Sequence, residues 1–364
     1  MAALSSSTSK IALAAAAATL SRQGVKHLAA SVRCVATVSS STSATRNRNG
    51  YGQGREMQTF IPTTVVEHPP VSASTHLNGS SKAEPSNGEK TLADVKLGFI
   101  GWGSMAQAVS LGIAEKDLIP RDQVMTSAGR GVVKEAQEEG FQSVASNLDV
   151  MEFSDIVVIA VKPQVVDKVL KQLAPAWKNE KVLVSLCAGV TIDTFKQSLG
   201  EDAKVVRVMT NTPCLVGEGA TAYSGCPNCE EWELDLVEGM LGAVGNSIHR
   251  LDEKLLNAVT GVSGSGPAYI YMLIGALTDA GIHGGLSAKV AQDLATQTVI
   301  GAAKMVQETG EHPSVLKSRV MSPAGTTIAG VRALEKHGFN AAVMDAVDAA
   351  RERAEELSAP AKKK

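Results

Sequence analysis

The chain has 364 residues, of which 44% are apolar, so it can form two or three domains with hydrophobic cores. Charged residues make up 20% and the formal net charge is −2. The chain therefore lacks the excess of basic residues that is typical of nucleic-acid-binding proteins. Five cysteines in this length do not indicate a disulfide scaffold. The longest apolar run, residues 11–20, is shorter than the roughly 20 residues of a membrane-spanning helix. The composition is typical of an α/β enzyme with additional helices.

The N-terminal region has the composition of an organelle transit peptide. No acidic residue precedes Glu56, and the region is rich in Ala, Ser, Thr and basic residues. Its serine content favours the chloroplast stroma, with the mitochondrion or the cytoplasm as alternatives, and an ordinary disordered tail is the other interpretation. We predict a transit peptide over residues 1–60. Residues 61–93 are rich in Pro, Ser, Asn and Gly, and we predict a disordered linker there.

A predicted strand, a glycine-rich turn and a helix follow the linker. The apolar run 95–100 leads into a G-x-G-x-x-A pattern at 101–106, and apolar residues at helical spacing come next. Gly101 permits a tight turn, Gly103 lets backbone N–H groups approach a pyrophosphate, and Ala106 allows close packing of helix and strand. The N-terminus of the helix also favours an anion. The predicted cofactor contacts in this segment are Ile100, Gly101, Gly103, Ser104, Met105 and Ala106.

The end of the next predicted strand, residues 123–126, bears on the choice of cofactor. NAD-binding proteins usually place a carboxylate there, but none occurs between Asp122 and Glu135. Ser127 and Arg130 are present instead, and an Arg can hold a 2′-phosphate through charge-assisted hydrogen bonds. We therefore predict NADP(H) in preference to NAD(H). A solvated loop charge is the alternative for Arg130.

Three further strands are predicted at the apolar runs 155–161, 181–186 and 203–209. Ligands of open α/β sheets lie beyond the carboxyl ends of the strands, so the segments after these runs should border the cofactor. Asn147 precedes a predicted helix and is expected on the adenosine side, although any polar residue here could merely cap a loop or helix. The predicted contacts are Ala160, Val161, Lys162, Pro163, Cys187 and Ala188, with Asn211–Pro213 at the same rim.

The second half of the chain has a helical pattern. A turn at Val262–Pro267 is predicted to open the first of several Ala- and Gly-rich helices. Such helices rarely form a large core alone, so we expect a homodimer or a larger homo-oligomer. We predict an NADP-binding Rossmann domain over residues 94–253 and a helical dimerisation and substrate domain over residues 254–358.

One segment of this half suggests a carboxylate site. The sequence Ser-Pro-Ala-Gly at 322–325 breaks a predicted helix, and a second helix begins near Thr326 and Thr327. The first N–H groups of that helix would be unpaired and available to a small carboxylate, and the two hydroxyls could bind a substrate nitrogen or oxygen. An ordinary capped helix is the alternative.

Cys226 and Cys229 form a single CxxC pair. A zinc site needs four ligands, no second pair exists, and the histidines lack metal-ligand spacing, so we predict no metal. The pair follows what we predict to be the last strand instead of lying at a strand–helix turn. We therefore expect a structural role, with redox regulation as the alternative.

Taken together, five blocks resemble the pyrroline-5-carboxylate reductase family. The resemblance extends from about Leu97 to Glu356 and is most specific in the last block. The blocks are Gly98–Ala106, Ala160–Pro163, Met209–Pro213, Gly261–Tyr269 and Ser322–Thr327.

The resemblance implies a Rossmann-like α/β domain followed by an all-α dimerisation domain, with helices of one subunit completing the other's site. It implies reduction of the cyclic imine 1-pyrroline-5-carboxylate to L-proline by NAD(P)H, the last step of proline synthesis. In family terms Ser322 and Gly325 shape the pocket, and Thr326 and Thr327 hold the substrate. The Thr327 hydroxyl is our candidate for bonding the ring nitrogen.

Two positions depart from the family pattern. Ala324 stands where many members have Gly, which makes the turn less permissive. Trp102 occupies a usually small position in the nucleotide turn, and its indole is expected beside the cofactor.

Two other functions remain open at this point. One is a different NADP-dependent reductase, of the β-hydroxyacid dehydrogenase type, for which Lys304 would be the candidate acid. The other is a nucleotide-sensing scaffold without chemistry. In each case we expect a small-molecule ligand and neither a nucleic-acid nor a membrane partner.

Overall fold

The computed structural model describes residues 90–129 and 131–358. The predicted transit peptide, most of the predicted linker and Arg130 lie outside the described residues. The described part contains a layered α/β region followed by a helical region.

The strands form a single mixed sheet in the order β3-β2-β1-β4-β5-β6-β7-β8. Neighbouring strands from β3 through β6 pair in parallel, β7 is antiparallel to β6, and β8 is parallel to β7. The strands are β1 (Leu97–Ile100), β2 (Val124–Ser127), β3 (Gln142–Val144), β4 (Ile156–Ile159), β5 (Val182–Ser185), β6 (Lys204–Met209), β7 (Ala220–Gly225) and β8 (Ser247–Arg250).

Among the described residues, six α-helices accompany the sheet and six follow it. The first set is α1 (Ser104–Glu115), α2 (Lys134–Glu138), α3 (Asn147–Phe153), α4 (Val166–Leu173), α5 (Ile192–Leu199) and α6 (Glu231–Leu241). The second set is α7 (Leu256–Val259), α8 (Gly266–His283), α9 (Ala288–Thr309), α10 (Pro313–Arg319), α11 (Thr326–Lys336) and α12 (Phe339–Ser358).

Both faces of the sheet are buried, as the continuous apolar runs predict. Phe99 of β1 and Val158 of β4 belong to one core cluster. Their chain neighbours Ile100 and Ile159 belong to the second cluster, on the other face. The successive side chains of each strand therefore contribute to two layers of helices, and the predicted Rossmann-like α/β fold followed by helices is confirmed.

Three strands were not predicted. β3, β7 and β8 lack a long apolar run, and β3 and β8 lie at the two edges of the sheet. The CxxC pair follows β7 directly and precedes α6. The expectation that it lies beyond the last strand and away from a strand–helix turn is therefore wrong.

The predicted turn at Val262–Pro267 is also wrong in form. A π-helical turn, Thr260–Gly264, follows α7 and leads into α8. Small residues serve close approach here, because a Cβ on Gly261 would lie 2.6 Å from the carbonyl oxygen of Val347 on α12. The glycines that suggested a turn therefore let two helical segments pack together.

The helices of the second half leave large apolar side chains uncovered in the single chain. Tyr271 and Met272 on α8, Leu294 on α9 and Met344 on α12 are all more than half exposed. Large exposed apolar side chains on several helices indicate an interaction face. Within the described residues, no helix is long and apolar enough to cross a membrane.

Candidate active site

A cleft of about 540 Å³ opens at the carboxyl ends of β1, β2 and β4. Four of the predicted cofactor residues line it: Ile100, Gly101, Asn147 and Val161. This is the edge of the sheet where α/β proteins bind nucleotides.

The glycine turn has the geometry that a pyrophosphate requires. Gly101 has a φ of +103°, and a Cβ there would lie 2.6 Å from the carbonyl oxygen of Ala160. Gly103 precedes the first residue of α1, and its missing side chain would point into open space. No side chain caps the first N–H groups of α1. The turn therefore offers free donors and a space that a Cβ would fill, which fits a bound dinucleotide.

The other residues of this turn divide into two groups. Ser104 is exposed and Met105 is half-buried in the first turn of α1, so both can meet a ligand. Ala106 is fully buried and packs the helix on the sheet, as predicted. Trp102 is only 7% exposed and lies edge-on to Phe99 and Phe141. The expectation that its indole lies beside the cofactor is therefore wrong, because three aromatic rings pack together in the core.

Ser127 does not itself line the cleft, but it is hydrogen-bonded to Asn147, which does. Its side chain is fully buried, and its hydroxyl donates a hydrogen bond to Asn147 Oδ1 at 2.7 Å. The Asn147 amide in turn donates to Gln172 Oε1 at 2.7 Å. These bonds orient the Asn147 side chain at the wall of the cleft.

Sequence reasoning missed the wall that α4 contributes. Lys168 and Gln172 of α4 line the cleft together with Val165, which immediately precedes the helix. Their spacing of three and four residues places them on one face of a helix, which was the available signal. Lys168 gives this wall a positive charge, which suits a phosphate-bearing ligand.

The loops after β4 and β5 meet beside the cleft. The Cys187 thiol donates to the carbonyl oxygen of Val161 at 3.2 Å, and burial raises its pKa to about 11. Cys187 therefore holds the loop in place and is not a reactive thiol. Of the contacts predicted in these two loops, Val161 lines the cleft. Lys162, Pro163 and Ala188 are exposed.

The carboxyl end of β6 joins the cleft region to the helices. Asn211 donates to the carbonyl oxygen of Ser263 at 3.1 Å and accepts a bond from the N–H of Ala220. A Cβ on Gly264 would overlap the end of Met209. The π-helical turn therefore lies against the end of β6.

A buried ion pair, which sequence reasoning also missed, supports this junction. Arg207 is 5% exposed and donates to Glu253 at 3.0 Å and to Asn257 at 3.2 Å. Glu253 also accepts from the N–H of Ile192, at the start of α5. The pair therefore joins β6, α5 and the segment that leads into α7.

The segment Ser322–Thr327 forms a separate, open helix end, as predicted. Gly325 precedes the first residue of α11, and no side chain caps that helix. Ala324 has a φ of +56°, a conformation that costs a non-glycine residue energy. The N–H of Gly325 donates to the carbonyl oxygen of Ser322 and so closes the turn that contains Ala324. We call this end of α11, residues 325–327, the helix tip.

The helix tip has unused hydrogen-bonding groups. Among the described residues, neither the Thr326 nor the Thr327 hydroxyl has a hydrogen-bond partner. The first N–H groups of α11 are likewise uncapped. The tip can therefore bind a small ligand that has an anionic group and a neighbouring polar atom. No hydrogen bond between described residues connects the tip with the cleft inside this single chain.

Fold and cleft together define a Rossmann-type oxidoreductase that uses a nicotinamide dinucleotide and has a helical region after the sheet. Comparison with protein families agrees. Residues 253–357 match the pyrroline-5-carboxylate reductase dimerisation family, and residues 96–189 match the family described as NADP oxidoreductase, coenzyme F420-dependent.

Curated relatives cover almost the whole of the described region. The chain is 43% identical to pyrroline-5-carboxylate reductase of Arabidopsis thaliana over 265 residues, which are 72% of this chain and 95% of that protein. It is 40% identical to the Escherichia coli pyrroline-5-carboxylate reductase over 72% of this chain and 98% of that protein. The chain belongs to the pyrroline-5-carboxylate reductase family.

Solved structures lead to the same family. The chain resembles the Plasmodium falciparum pyrroline carboxylate reductase with NADP bound, at a TM-score of 0.68 and 35% identity. That match covers 73% of this chain and 99% of the solved one. The match to a dimerisation family also agrees with the uncovered apolar surface of the helical region.

Proposed function

We propose that the protein reduces the cyclic imine 1-pyrroline-5-carboxylate to L-proline with a hydride from NAD(P)H, as an oxidoreductase acting on a CH–NH group. The observation that carries this proposal is the helix tip, where uncapped N–H groups stand beside two unpaired Thr hydroxyls. The substrate carries its carboxylate on the carbon next to the ring nitrogen. The tip thus offers one partner to each group.

The two ends of the substrate would be held differently. The N–H groups at the start of α11 bind the carboxylate, because the positive end of the helix dipole faces it. The Thr327 hydroxyl bonds the ring nitrogen, which fixes the face of the ring that is attacked. Ser322 and Gly325 shape the turn, since a Cβ on Gly325 would overlap the Ser322 hydroxyl.

The site needs no strong acid of its own. Residues 322–327 contain neither a His nor a Lys. A protonated imine accepts hydride readily, and the cyclic imine can arrive in that form. A bound nicotinamide dinucleotide supplies the hydride. The protein's contribution is then orientation, holding the imine carbon about 3–3.5 Å from the donor carbon and excluding water.

The cofactor would be NADPH in preference to NADH. β2 ends at Ser127 without the carboxylate that binds a 2′-hydroxyl, and Ala128, Gly129 and Gly131 line the cleft beyond it. The sequence of this segment includes Arg130, whose guanidinium is positively charged. Lys168, which lines the cleft, adds a second positive charge.

The active unit would be a homodimer or a larger homo-oligomer. The apolar helix faces are uncovered in the single chain, and the cleft and the helix tip share no hydrogen bond within it. A second copy that covers these faces would bring its own helix tip to the cleft. A complete site then contains residues of two subunits.

We also propose that residues 1–60 direct import into the chloroplast stroma. The support is compositional: basic residues, abundant Ser and no acid before Glu56. Fusion of residues 1–90 to a fluorescent protein tests this in plant cells. Plastid fluorescence is expected, and a mitochondrial or diffuse cytosolic signal contradicts the proposal.

The reaction is tested by the change in absorbance at about 340 nm, the wavelength at which NADPH absorbs. Each substrate is supplied at ~1 mM, which is at or above typical KM values. Pyrroline-5-carboxylate is expected to support turnover and a 3-hydroxy acid with NADP⁺ is not. The converse result favours a β-hydroxyacid dehydrogenase, although Lys304 is exposed and does not line the described cleft. NADPH binding without turnover of either substrate contradicts an enzymatic function.

A further inference from the structure

The CxxC pair has the geometry of a redox dithiol. Cys226 and Cys229 lie between β7 and α6 with their sulfur atoms 3.6 Å apart, and both are free thiols. The N–H of Cys229 donates to the carbonyl oxygen of Cys226 at 3.0 Å, which closes a β-turn. The Cα atoms at the ends of such a turn are close enough for a disulfide. The sulfurs need to approach by only about 1.5 Å to form the bond.

Hydrogen bonds around the pair favour a thiolate on Cys226. The Cys226 sulfur accepts from the N–H of Val205 at 3.2 Å and faces the Cys229 thiol. The bond from Cys229 holds the pKa of Cys226 well below its ordinary value, although burial opposes this. The same bond and burial raise the pKa of Cys229. The pair therefore shares one proton at neutral pH, which is the charge state that disulfide exchange uses.

Exposure assigns different roles to the two sulfurs. Cys226 is 4% exposed, whereas Cys229 is only partly buried. An external disulfide can therefore meet Cys229 first, and Cys226 is placed to complete the exchange. A two-step exchange of this kind needs one thiol that the oxidant can reach and a second thiol beside it, and the pair provides both.

The pair stands apart from the proposed active site. The N–H of Cys226 donates to the carbonyl oxygen of Val205, near the first residue of β6. The CxxC pair therefore lies near the amino end of β6. The cofactor cleft lies at the opposite ends of the parallel strands, their carboxyl ends. Among the described residues, no group of three or more His, Cys, Asp or Glu side chains could hold a metal ion. Neither the proposed reaction nor a metal therefore accounts for the pair.

We propose that Cys226 and Cys229 form a reversible intramolecular disulfide by exchange with a small-molecule disulfide of the glutathione type. Cys229 passes its proton to Cys226 across their hydrogen bond, and the Cys229 thiolate attacks one sulfur of the oxidant. The oxidant's S–S bond breaks, and the leaving thiolate takes that proton from Cys226 to become the first thiol. The Cys226 thiolate then attacks Cys229 Sγ and releases the second thiol. The protein gains one S–S bond and gives up two electrons and the one proton that the pair shares. The second leaving thiolate takes its proton from water, so two molecules of thiol result.

The test uses the full chain with Cys34→Ser, which removes the cysteine of the N-terminal region. The protein is incubated with oxidised glutathione, blocked with N-ethylmaleimide and analysed by peptide mass mapping. We expect Cys226 and Cys229 to be protected together as one linked peptide, and dithiothreitol to restore both to alkylation. Cys187 and Cys214 are buried thiols that face no other cysteine within the part of the chain that the structure describes, so they serve as internal controls and should not become linked.

Two variants test the order of the steps. Cys226→Ala should trap glutathione as a stable mixed disulfide on Cys229, because the resolving thiol is missing. Cys229→Ser should acquire glutathione at least about tenfold more slowly, because its remaining thiol is buried. Absence of the linked peptide in the Cys34→Ser chain overturns the proposal whatever the variants do. A linked peptide without an adduct on Cys226→Ala overturns the assigned order. Both readouts are masses, so they do not depend on the proposed reductase activity.

Discussion

The backbone of Gly101 lies so close to Ala160 that any side chain at position 101 would meet the Ala160 carbonyl oxygen at 2.6 Å. Two residues later, the missing side chain of Gly103 faces open space. The two glycines of one motif therefore have different purposes. The first lets two loops of the protein pack together, and the second leaves room for a ligand.

Alanine substitutions should separate these purposes. Gly103→Ala is expected to leave the Tm unchanged within about 2 °C, because its Cβ meets no protein atom, and to raise the KM for NADPH by about tenfold or more. Gly101→Ala is expected to lower the Tm by several degrees, because it combines a steric overlap with a strained φ. Thermal unfolding and steady-state kinetics of both variants check this. Equal effects of the two variants on Tm would contradict the assignment.

Removal of the Thr327 hydroxyl should impair catalysis. Thr327→Ala is expected to lower kcat/KM for pyrroline-5-carboxylate by about tenfold or more, from loss of one hydrogen bond and from poorer orientation of the ring. Ser198→Ala is a suitable control, since it removes an exposed hydroxyl on α5 that bonds a backbone carbonyl of its own helix. An unchanged kcat/KM in Thr327→Ala would remove this residue from the catalytic role.

Arg130 should decide between the two nicotinamide cofactors. Arg130→Ala is expected to raise the KM for NADPH by about tenfold or more, as the loss of a charge-assisted hydrogen bond to a phosphate implies, and to leave the KM for NADH within about twofold. Arg353→Ala, on the exposed side of α12, controls for a general change of charge. Equal changes in both KM values would exclude a role for Arg130 in the preference.

Stability should depend on the ionisation of Asp155. Burial alone would raise the pKa of this carboxyl, but bonds from the Lys90 ammonium at 2.7 Å and the N–H of Lys96 at 2.9 Å outweigh it and lower the pKa. A lowered folded-state pKa stabilises the protein above the ordinary value of 3.8, and this stabilisation is lost as the pH falls through the folded value.

Asp155→Asn is therefore expected to lower the Tm at pH 7 by a few degrees, with a smaller difference from the parent chain at a pH well below 3.8. Thermal unfolding at the two pH values provides the measurement, and the exposed Asp235→Asn is the control. A difference that persists at acid pH would show that packing, and not charge, stabilises the site.

Strands with a two-sided apolar pattern were predictable, and strands without one were not. β4 and β5 are buried along their whole length, so their sequences are nearly uninterrupted apolar runs. β3 and β8 are edge strands with mostly polar, accessible residues, and such short runs are not distinguishable from loops. β7, which directly precedes the CxxC pair, is mostly buried but contains Thr221, Tyr223 and Ser224 and so has no continuous apolar run, which is why the neighbourhood of the pair was misjudged.

The site was predictable where a motif has a local physical cause. The glycine turn and the open end of α11 depend on residues within six positions of one another. Contacts between distant segments were not predictable: the bond from Asn211 to Ser263 and the ion pair of Arg207 with Glu253 bring together residues that are 46 or more positions apart. Trp102 illustrates the same limit, because its ring packs against Phe141, a residue of a different element.

The central claim is that a ring carboxylate binds the helix tip next to the nicotinamide. A crystal structure of the homo-oligomer with NADP⁺ and L-proline tests it most directly. We expect the proline carboxylate on the N–H groups at the start of α11 and the Thr327 hydroxyl within hydrogen-bonding distance of the ring nitrogen. A structure in which NADP⁺ occupies the cleft while the helix tip holds no ligand, or in which Thr327 faces away from the nicotinamide, would contradict the account.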